Sequence, residues 1–199
     1  QLQQIYTTTD RQVATLEEIP QALINATVAI EDKRFYEHQG VDWITTVKAC
    51  MNMFFGGDSQ FGGSTVTQQL IKNTLLSSEQ SYKRKIQEAY LALQLETTYT
   101  KDEILECYLN TIWLGESYYG VQTAAEGYFG KPLSELTLRE CAMLAGVCNS
   151  PYYYNPRRNF YTRTSETTDY PKLTNDRTNY VLRCMYANQF ITHAQYQEA

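Results

Sequence analysis

Helical spacing of apolar residues is the main pattern along the chain. After Pro20, which suits the first turn of a helix, one face is formed by Leu23, Ala26, Thr27 and Ile30. This pattern predicts a helix that carries Glu31 and Asp32 at its C-terminal end. Because the helix dipole is negative at that end, we expect a carboxylate there to bind a proton more tightly than usual.

Further helices are predicted from spacing and from helix-end signals. A second apolar pattern ends at Gly56 and Gly57 and runs through Ile44, Val47, Met51 and Phe54. A glycine pair at 62–63 leads to Ser64, a suitable N-cap for a third helix. Two capping boxes open later helices, at Thr100 with Glu103 and at Thr137 with Glu140. We expect these two helices to close at Gly115 and Gly146.

The ends of the chain are less regular. The first eighteen residues suit an extended lead-in or a small hairpin, and the polar stretch 155–176 suits a loop. The last helices are predicted over 177–189 and from Thr192 onward. Together these patterns predict a mainly α fold, with all 199 residues in a single domain.

Composition excludes several classes of protein. The chain has 17 Lys and Arg against 22 Asp and Glu, a net charge of −5, and no basic stripe of the kind that binds nucleic acid. It has only two histidines, His38 and His193, which argues against a histidine-rich metal site or a histidine-based triad. The five cysteines lack CxxC spacing and are best explained as small buried apolar residues. No apolar run is long enough to cross a bilayer.

Two neighbouring helices place charged residues on one face each. On the third helix this face has Thr65, Gln69 and Lys72, opposite Val66, Leu70, Ile71 and Leu75. On the next helix it has Arg84, Lys85 and Glu88, opposite Ile86, Tyr90 and Leu93. Each face alone is better explained by solvated surface charges. With Glu31, however, the two faces would supply a cleft suited to a phosphate leaving group and to a hydroxyl that must lose a proton.

Five motifs then occur in the order typical of one family. They are 31–40 (EDKRFYEHQG), 62–73 (GGSTVTQQLIKN), 84–88 (RKIQE) with Leu95-Glu96, 101–110 (KDEILECYLN), and 119–131 (YGVQ, AA and YFGK). On these motifs the chain resembles the glycosyltransferase module of class A penicillin-binding proteins and of monofunctional peptidoglycan glycosyltransferases (glycosyltransferase family 51). Five motifs in register over nearly the whole chain are far more specific than one. The stretch 145–151 (AGVCNSP) departs from the apolar and proline-containing sequence usual at that place.

The resemblance implies an architecture and a location. It implies a lysozyme-like globular lobe plus a small membrane-facing (jaw) lobe at about 41–62, with the transmembrane anchor and any transpeptidase domain outside this chain. It implies the extracytoplasmic face of a bacterial cell membrane, which the chain would contact through Met51, Met53, Phe54, Phe55 and Phe61. We expect several of these five side chains to be exposed, although completion of an internal core explains them nearly as well.

The resemblance also implies an activity and its residues. The family polymerises lipid II into β-1,4-linked glycan strands, with inversion and release of undecaprenyl diphosphate. Glu31 would be the general base, and Glu88 would assist on the diphosphate side. A divalent cation, Mg²⁺ or Mn²⁺, is an optional cofactor at Glu88. Moenomycin-type inhibitors would occupy the donor site, and the full-length protein would carry a C-terminal transpeptidase domain.

The remaining site residues fall into two groups by expected role. Diphosphate and sugar would be bound by Lys72, Arg84, Lys85, Ser64, Thr65 and Gln69. The site would be supported by Asp32, Phe35, His38, Gly63, Glu106 and Asn110. A surface charge explains Lys85 about equally well, and a structural hydrogen bond explains His38 better than catalysis does.

Two other functions stay open on the sequence alone. A lysozyme-like glycan-cleaving enzyme would not need the cations at 72, 84 and 85. A non-catalytic wall-binding domain would be expected to lack one of the two carboxylates at 31 and 88. A transpeptidase within this chain is excluded, because no Ser-x-x-Lys occurs.

Overall fold

The fold was analysed in a computed structural model, which describes residues 13–55, 63–76 and 81–199, without the side chains of 49, 50 and 52–55. Within these ranges the chain is helical and has no β-strand beyond two isolated bridges. The helices are α1 (Gln21–Glu31), α2 (Trp43–Phe55), α3 (Val66–Thr74), α4 (Tyr82–Thr98), α5 (Lys101–Thr111), α6 (Val121–Phe129), α7 (Leu138–Cys148), α8 (Pro156–Tyr161), α9 (Tyr170–Ala187) and α10 (His193–Glu198). The predicted mainly α fold is therefore confirmed.

Helix α1 is at the centre of the core. It begins directly after Pro20, as predicted, and seven of its eleven residues are buried. It packs on α7, which in turn packs on α9, while α3 packs on α4 and α5. Both hydrophobic clusters of the described residues draw on α1 and α7. The C-terminal end of α1, with Glu31, therefore lies inside the helical assembly rather than at its margin.

Helix ends follow the capping chemistry in most places. Thr100 and Thr137 each accept a hydrogen bond from the backbone of the glutamate three residues later, and both capping boxes are complete. Thr192 caps α10 in the same way with Gln195. These local hydrogen bonds satisfy amide groups that a helix N-terminus otherwise leaves open. For this reason, the predicted starts of α5, α7 and α10 are confirmed.

Several predicted boundaries are wrong. Gly146 lies within α7, where its missing side chain leaves room for Arg177 of α9; an added Cβ would lie 3.2 Å from Arg177 Cγ. Gly115 lies in a turn after the end of α5. The stretch predicted as a loop holds α8 and the start of α9, because Asn155 and Asp169 act as N-caps and a proline follows each. The predicted lead-in or hairpin lies mostly outside the described residues.

The described cysteines match their predicted role. Cys107, Cys141 and Cys184 are buried, and Cys148 is partly buried. Among the described residues, none of the helices combines the length and the apolar character that a membrane span requires. The membrane-facing lobe at about 41–62 stays a prediction, since only part of it lies in the described ranges.

Candidate active site

Glu31 is the last residue of α1 and is partly buried. Burial raises the pKa of this carboxyl above the ordinary value of 4.5, and the neighbouring charge of Asp32 raises it as well. A hydrogen bond from Gln69 and the positive charges of Arg177 and Lys72 act in the opposite direction. A carboxylate with a raised pKa, held by one donor, has the properties of a general base.

Gln69 connects this carboxylate to the core. Its Nε2 donates to Glu31 Oε2 at 2.8 Å, and its Oε1 accepts a hydrogen bond from the Tyr108 hydroxyl at 3.2 Å. Tyr108 is fully buried, and burial together with the charge of Glu31 raises its pKa far above the ordinary value. Its hydroxyl therefore stays protonated and can only orient Gln69, not compete with Glu31 for a proton.

Asp32 ties the end of α1 to the start of α3. Its buried carboxylate accepts a hydrogen bond from the backbone N–H of Val66 at 3.0 Å and lies 2.9 Å from His38 Nε2. His38 is buried too, and its ring lies edge-on to that of the fully buried Phe35. Asp32, Phe35 and His38 thus all lie in the packed interior beneath Glu31.

The start of α3 differs from the sequence prediction. Thr65, not Ser64, is the N-cap; its hydroxyl accepts from the backbone N–H of Gln68 and donates to the carbonyl of Gly40 at 2.6 Å. Thr65 is 2% exposed, and its hydroxyl is already engaged as donor and as acceptor. Its role in binding substrate stays a prediction. Gly63 precedes the cap, and its carbonyl accepts a hydrogen bond from the Thr46 hydroxyl at 3.3 Å.

The polar face of helix α4 is the inner one. Glu88 is 1% exposed, whereas Ile86, Tyr90 and Leu93 on the opposite face are 72%, 59% and 37% exposed. Lys85 pairs with the inner Glu88 and also donates to the Ser64 hydroxyl at 2.8 Å. The polar face of α4 therefore points toward α3 and the site.

The cations of the site lie on three helices. Lys72 is exposed near the end of α3, Lys85 is exposed on α4, and Arg84 beside it is half-buried. Arg177 of α9, which sequence analysis missed, is half-buried between the rings of Tyr154 and Tyr180, 5.3 and 5.7 Å from their centroids. Its Nε donates to the carbonyl of Gly146 at 3.2 Å. The glycine within α7 was the available signal, because a helical glycine often marks the close approach of another group.

Two cavities meet at Asn149, just after α7. One, of about 360 Å³, is lined by residues of α3, α5 and α7, including Gln69, Lys72 and Cys148. The other, of about 480 Å³, is lined by residues of α9 and of the segment after α7, including Arg177. Gln69, Lys72 and Arg177 are the groups that act on Glu31, so both cavities border its immediate surroundings. The stretch that departs from the family pattern thus lies at the site.

Two predicted support residues hold the chain ahead of α1. Asn110 accepts a hydrogen bond from the N–H of Ala14 at 2.9 Å and donates to its carbonyl at 2.7 Å. Glu106 accepts one from the N–H of Leu16 at 2.7 Å. These contacts fix the segment that leads into α1 and so position Glu31 from a distance.

The donor set does not form a metal site among the described residues. There, no group of three or more His, Cys, Asp and Glu side chains lies close enough to hold an ion. One oxygen of the Glu88 carboxylate is taken by the Lys85 ammonium, and the other is buried without a hydrogen bond. A cation held by one carboxylate that already carries an ammonium would be poorly coordinated.

Known proteins are similar to this chain in sequence and in structure. The family described as Transglycosylase matches residues 1–186. Penicillin-binding protein 1A/1B of Bacillus subtilis is 43% identical over 190 residues, which are 95% of this chain and 20% of that protein. Penicillin-binding protein 1A of Escherichia coli is 42% identical over 92% of this chain and 20% of its own length. The crystal structure of penicillin-binding protein 1A from Haemophilus influenzae matches 95% of this chain and 17% of that one, with 27% identity and a TM-score of 0.53. The chain thus spans about a fifth of the length of these relatives.

Proposed function

Because the chain belongs to the transglycosylase family, we propose that it is a peptidoglycan glycosyltransferase that extends glycan strands from lipid II. In each step the 4-hydroxyl of the acceptor sugar attacks the anomeric carbon of the lipid-linked strand with inversion. The bond from that carbon to the diphosphate oxygen breaks, and its electron pair leaves with undecaprenyl diphosphate. The hydroxyl proton passes to the enzyme.

The observation that carries the proposal is the environment of Glu31. The carboxylate is partly buried, held by Gln69 at 2.8 Å, and faced by the positive charges of Arg177 and Lys72. Glu31 takes the proton of the attacking hydroxyl as the new bond forms. Since burial raises its pKa, the carboxylate is a stronger base than a surface glutamate, while the hydrogen bond from Gln69 and the two cations oppose that rise.

The leaving diphosphate needs positive charge that is already in place. Lys72, Arg84 and Lys85 supply it from α3 and α4, and the planar guanidinium of Arg84 can bind two oxygens at once. Ser64 lies within hydrogen-bond distance of Lys85 and completes this side of the cleft. Glu88 holds Lys85 from the interior, so its role is to position the ammonium. A divalent cation stays an optional addition on this side, and no step of the proposed reaction passes through it.

The lipid-linked substrate requires a membrane surface next to the cleft. On α2, Trp43, Ile44, Val47 and Met51 are each at least half exposed and share one side of the helix. This side suits contact with the outer leaflet of the bacterial cell membrane, at its extracytoplasmic face. The other residues of the predicted contact, Met53, Phe54, Phe55 and Phe61, have side chains outside the described set.

Two further partners follow from the same proposal. Moenomycin-type inhibitors, which combine sugars with a phosphate and a lipid, would compete for the donor side of the cleft near Lys85. A C-terminal transpeptidase domain would follow in the full-length protein, consistent with relatives named penicillin-binding proteins that are about five times as long as the matched region.

Polymerisation of purified lipid II in detergent tests the proposal. The unchanged chain and Glu31→Gln are compared with Glu37→Gln, which removes an exposed glutamate of the same loop whose hydrogen-bond partner is Arg34. We expect glycan product from the unchanged chain and from Glu37→Gln, and none from Glu31→Gln. Polymer from Glu31→Gln would show that another group is the base.

A second assay, on preformed glycan, separates the two alternative functions. A lysozyme-like enzyme would release fragments from that glycan and would keep this activity when Lys72 is changed to glutamate. A wall-binding domain would give neither polymer nor fragments. Either result from folded protein would overturn the proposal.

A further inference from the structure

A series of polar contacts begins at Lys101, the first residue of α5. Its Nζ lies 2.8 Å from the carboxylate of Glu96, 3.5 Å from Nδ1 of His38 and 4.5 Å from the centroid of the Phe35 ring. The side chain of Lys101 is 21% exposed and those of Glu96 and His38 are 5% exposed. A cation in the first turn of a helix is opposed by the helix dipole. Lys101 is therefore held by these contacts and not by its own helix.

The contact with Lys101 is compatible with only one neutral tautomer of His38. A lysine ammonium has donors only, so the ring nitrogen that faces it must offer its lone pair. Nδ1 of His38 is then unprotonated, and a neutral ring carries its hydrogen on Nε2. That hydrogen points at the carboxylate of Asp32, whose oxygens lie 2.9 and 3.1 Å away.

Asp32 connects His38 to helix α3, and α3 contacts the proposed general base. The Asp32 oxygen nearest to His38 also accepts the N–H of Val66, the first residue of α3. Helix α3 in turn carries Gln69, which donates to Glu31. Glu96 holds the same helix from the other side, because it accepts a hydrogen bond from the Thr67 hydroxyl at 2.6 Å.

We propose that Lys101 is a positioning residue, which holds His38 in the tautomer protonated at Nε2 and thereby fixes α3 and Gln69 against Glu31. Lys101 acts on Glu31 through His38, Asp32 and then Gln69 of α3. The structural half of the proposal concerns the tautomer alone. The catalytic half rests on the proposed function, since it concerns the rate of glycan polymerisation.

Nitrogen NMR of the histidine side chains tests the structural half without an activity assay. The chain has only two histidines, and His193 is exposed and serves as an internal reference. In the ¹⁵N-labelled chain, long-range ¹H–¹⁵N spectra should show a lone-pair nitrogen at Nδ1 of His38 and a protonated nitrogen at Nε2. The loss of one set of signals in His38→Gln assigns the spectrum. A His38 ring protonated at Nδ1 in the unchanged chain would overturn the proposal, even if every variant failed to fold.

Three lysine variants then test the contact between Lys101 and His38. Lys101→Met should change the chemical shift of His38 Nδ1, because its lone pair no longer faces an ammonium, and Lys101→Arg, which keeps a cationic donor, should preserve it. Lys131→Met is the matched control, because Lys131 also forms a partly buried pair with a glutamate, Glu140, at the start of another helix. The control should leave His38 unchanged. Identical His38 signals in Lys101→Met and the unchanged chain would refute the proposed contact.

Polymerisation kinetics tests the catalytic half. Lys101→Met should lower kcat by up to about 100-fold, the usual scale for a displaced catalytic group, with KM little changed. Lys101→Arg should recover most of kcat, and Lys131→Met should keep it. An unchanged kcat in Lys101→Met would refute the positioning role. If the unchanged chain made no polymer at all, the proposed function would fail while the tautomer result still stood.

Discussion

Replacement of Gly40 by alanine should destabilise the protein through a contact that only the folded structure creates. Gly40 has a φ of +82°, and its carbonyl accepts the hydroxyl of the N-cap Thr65. An added Cβ would lie 2.5 Å from the carbonyl oxygen of Ala92 and 2.6 Å from its carbon. These atoms belong to the backbone of α4 and cannot move without shifting the helix. The first motif, the cap of α3 and α4 therefore meet at a position that accepts no side chain.

The expected loss of unfolding free energy in Gly40→Ala has two parts. A positive φ for a residue with a Cβ costs about 1–2 kcal/mol. Forcing one extra methyl group into a packed contact costs about 1–3 kcal/mol more. The expected loss is therefore about 2–5 kcal/mol of the free energy of unfolding, a large part of the roughly 5–15 kcal/mol that holds a typical domain together.

Gly130 provides the matched control. It also has a positive φ, +65°, at the C-terminal end of α6, but an added Cβ would meet nothing within 4 Å. Gly130→Ala should therefore show the backbone part alone, about 1–2 kcal/mol. Urea unfolding followed by circular dichroism measures both variants, and an unchanged m-value would show that the difference lies in stability. Equal losses in the two variants would refute the close approach of α4 to Gly40.

Three further predictions concern the site and its surroundings. As the pH is lowered, kcat/KM of polymerisation should begin to fall at a higher pH than it would with an ordinary glutamate as the base. The reason is that the base must be ionised and that burial raises the pKa of Glu31. Gln69→Leu removes a hydrogen bond that lowers this pKa, so the acid limb of the pH profile should move higher still; an unmoved limb would exclude Glu31 as the titrating group. Thr65→Val should lower the free energy of unfolding by about 0.5–2 kcal/mol, since it removes the cap of α3, whereas Ser64→Ala should change it by about 0.5 kcal/mol or less; equal effects in chemical denaturation would contradict the cap assignment. Val47→Glu should weaken binding to anionic lipid vesicles, measured by sedimentation, by about tenfold or more, because inserting a valine side chain into the membrane is worth about 1.5–3 kcal/mol. Unchanged binding would exclude this side of α2 from the membrane contact.

Local signals were sufficient to predict much of the fold. The spacing after Pro20 located α1 and placed Glu31 at its end. The capping boxes located the starts of α5 and α7. These predictions hold because a cap or an apolar stripe acts within one or two turns of the same helix. The spacing at the third helix likewise put Gln69 and Lys72 on one face, where Gln69 reaches Glu31.

Contacts between distant segments explain why the sequence misplaced the N-cap of α3 and did not identify the inner face of α4. Thr65 and Ser64 are both good caps, and the choice between them depends on the carbonyl of Gly40, 25 residues earlier. Periodicity separated the two faces of α4 correctly but could not say which one points inward. The structure places Glu88 inside, because Lys85 and Ser64 give that face polar partners, and it leaves Ile86 exposed.

The sequence by itself determined the helical class, most helix starts and, through five motifs in register, the family, and it was enough to propose Glu31 as the general base. Only the tertiary structure decided which polar groups surround that carboxylate. Arg177 follows Glu31 by 146 positions, and its charge acts on Glu31 because Gly146 lets α9 pack closely on α7. Helix caps and periodicity are determined within a few residues, whereas the surroundings of a buried charge are determined by whichever helices the core brings together.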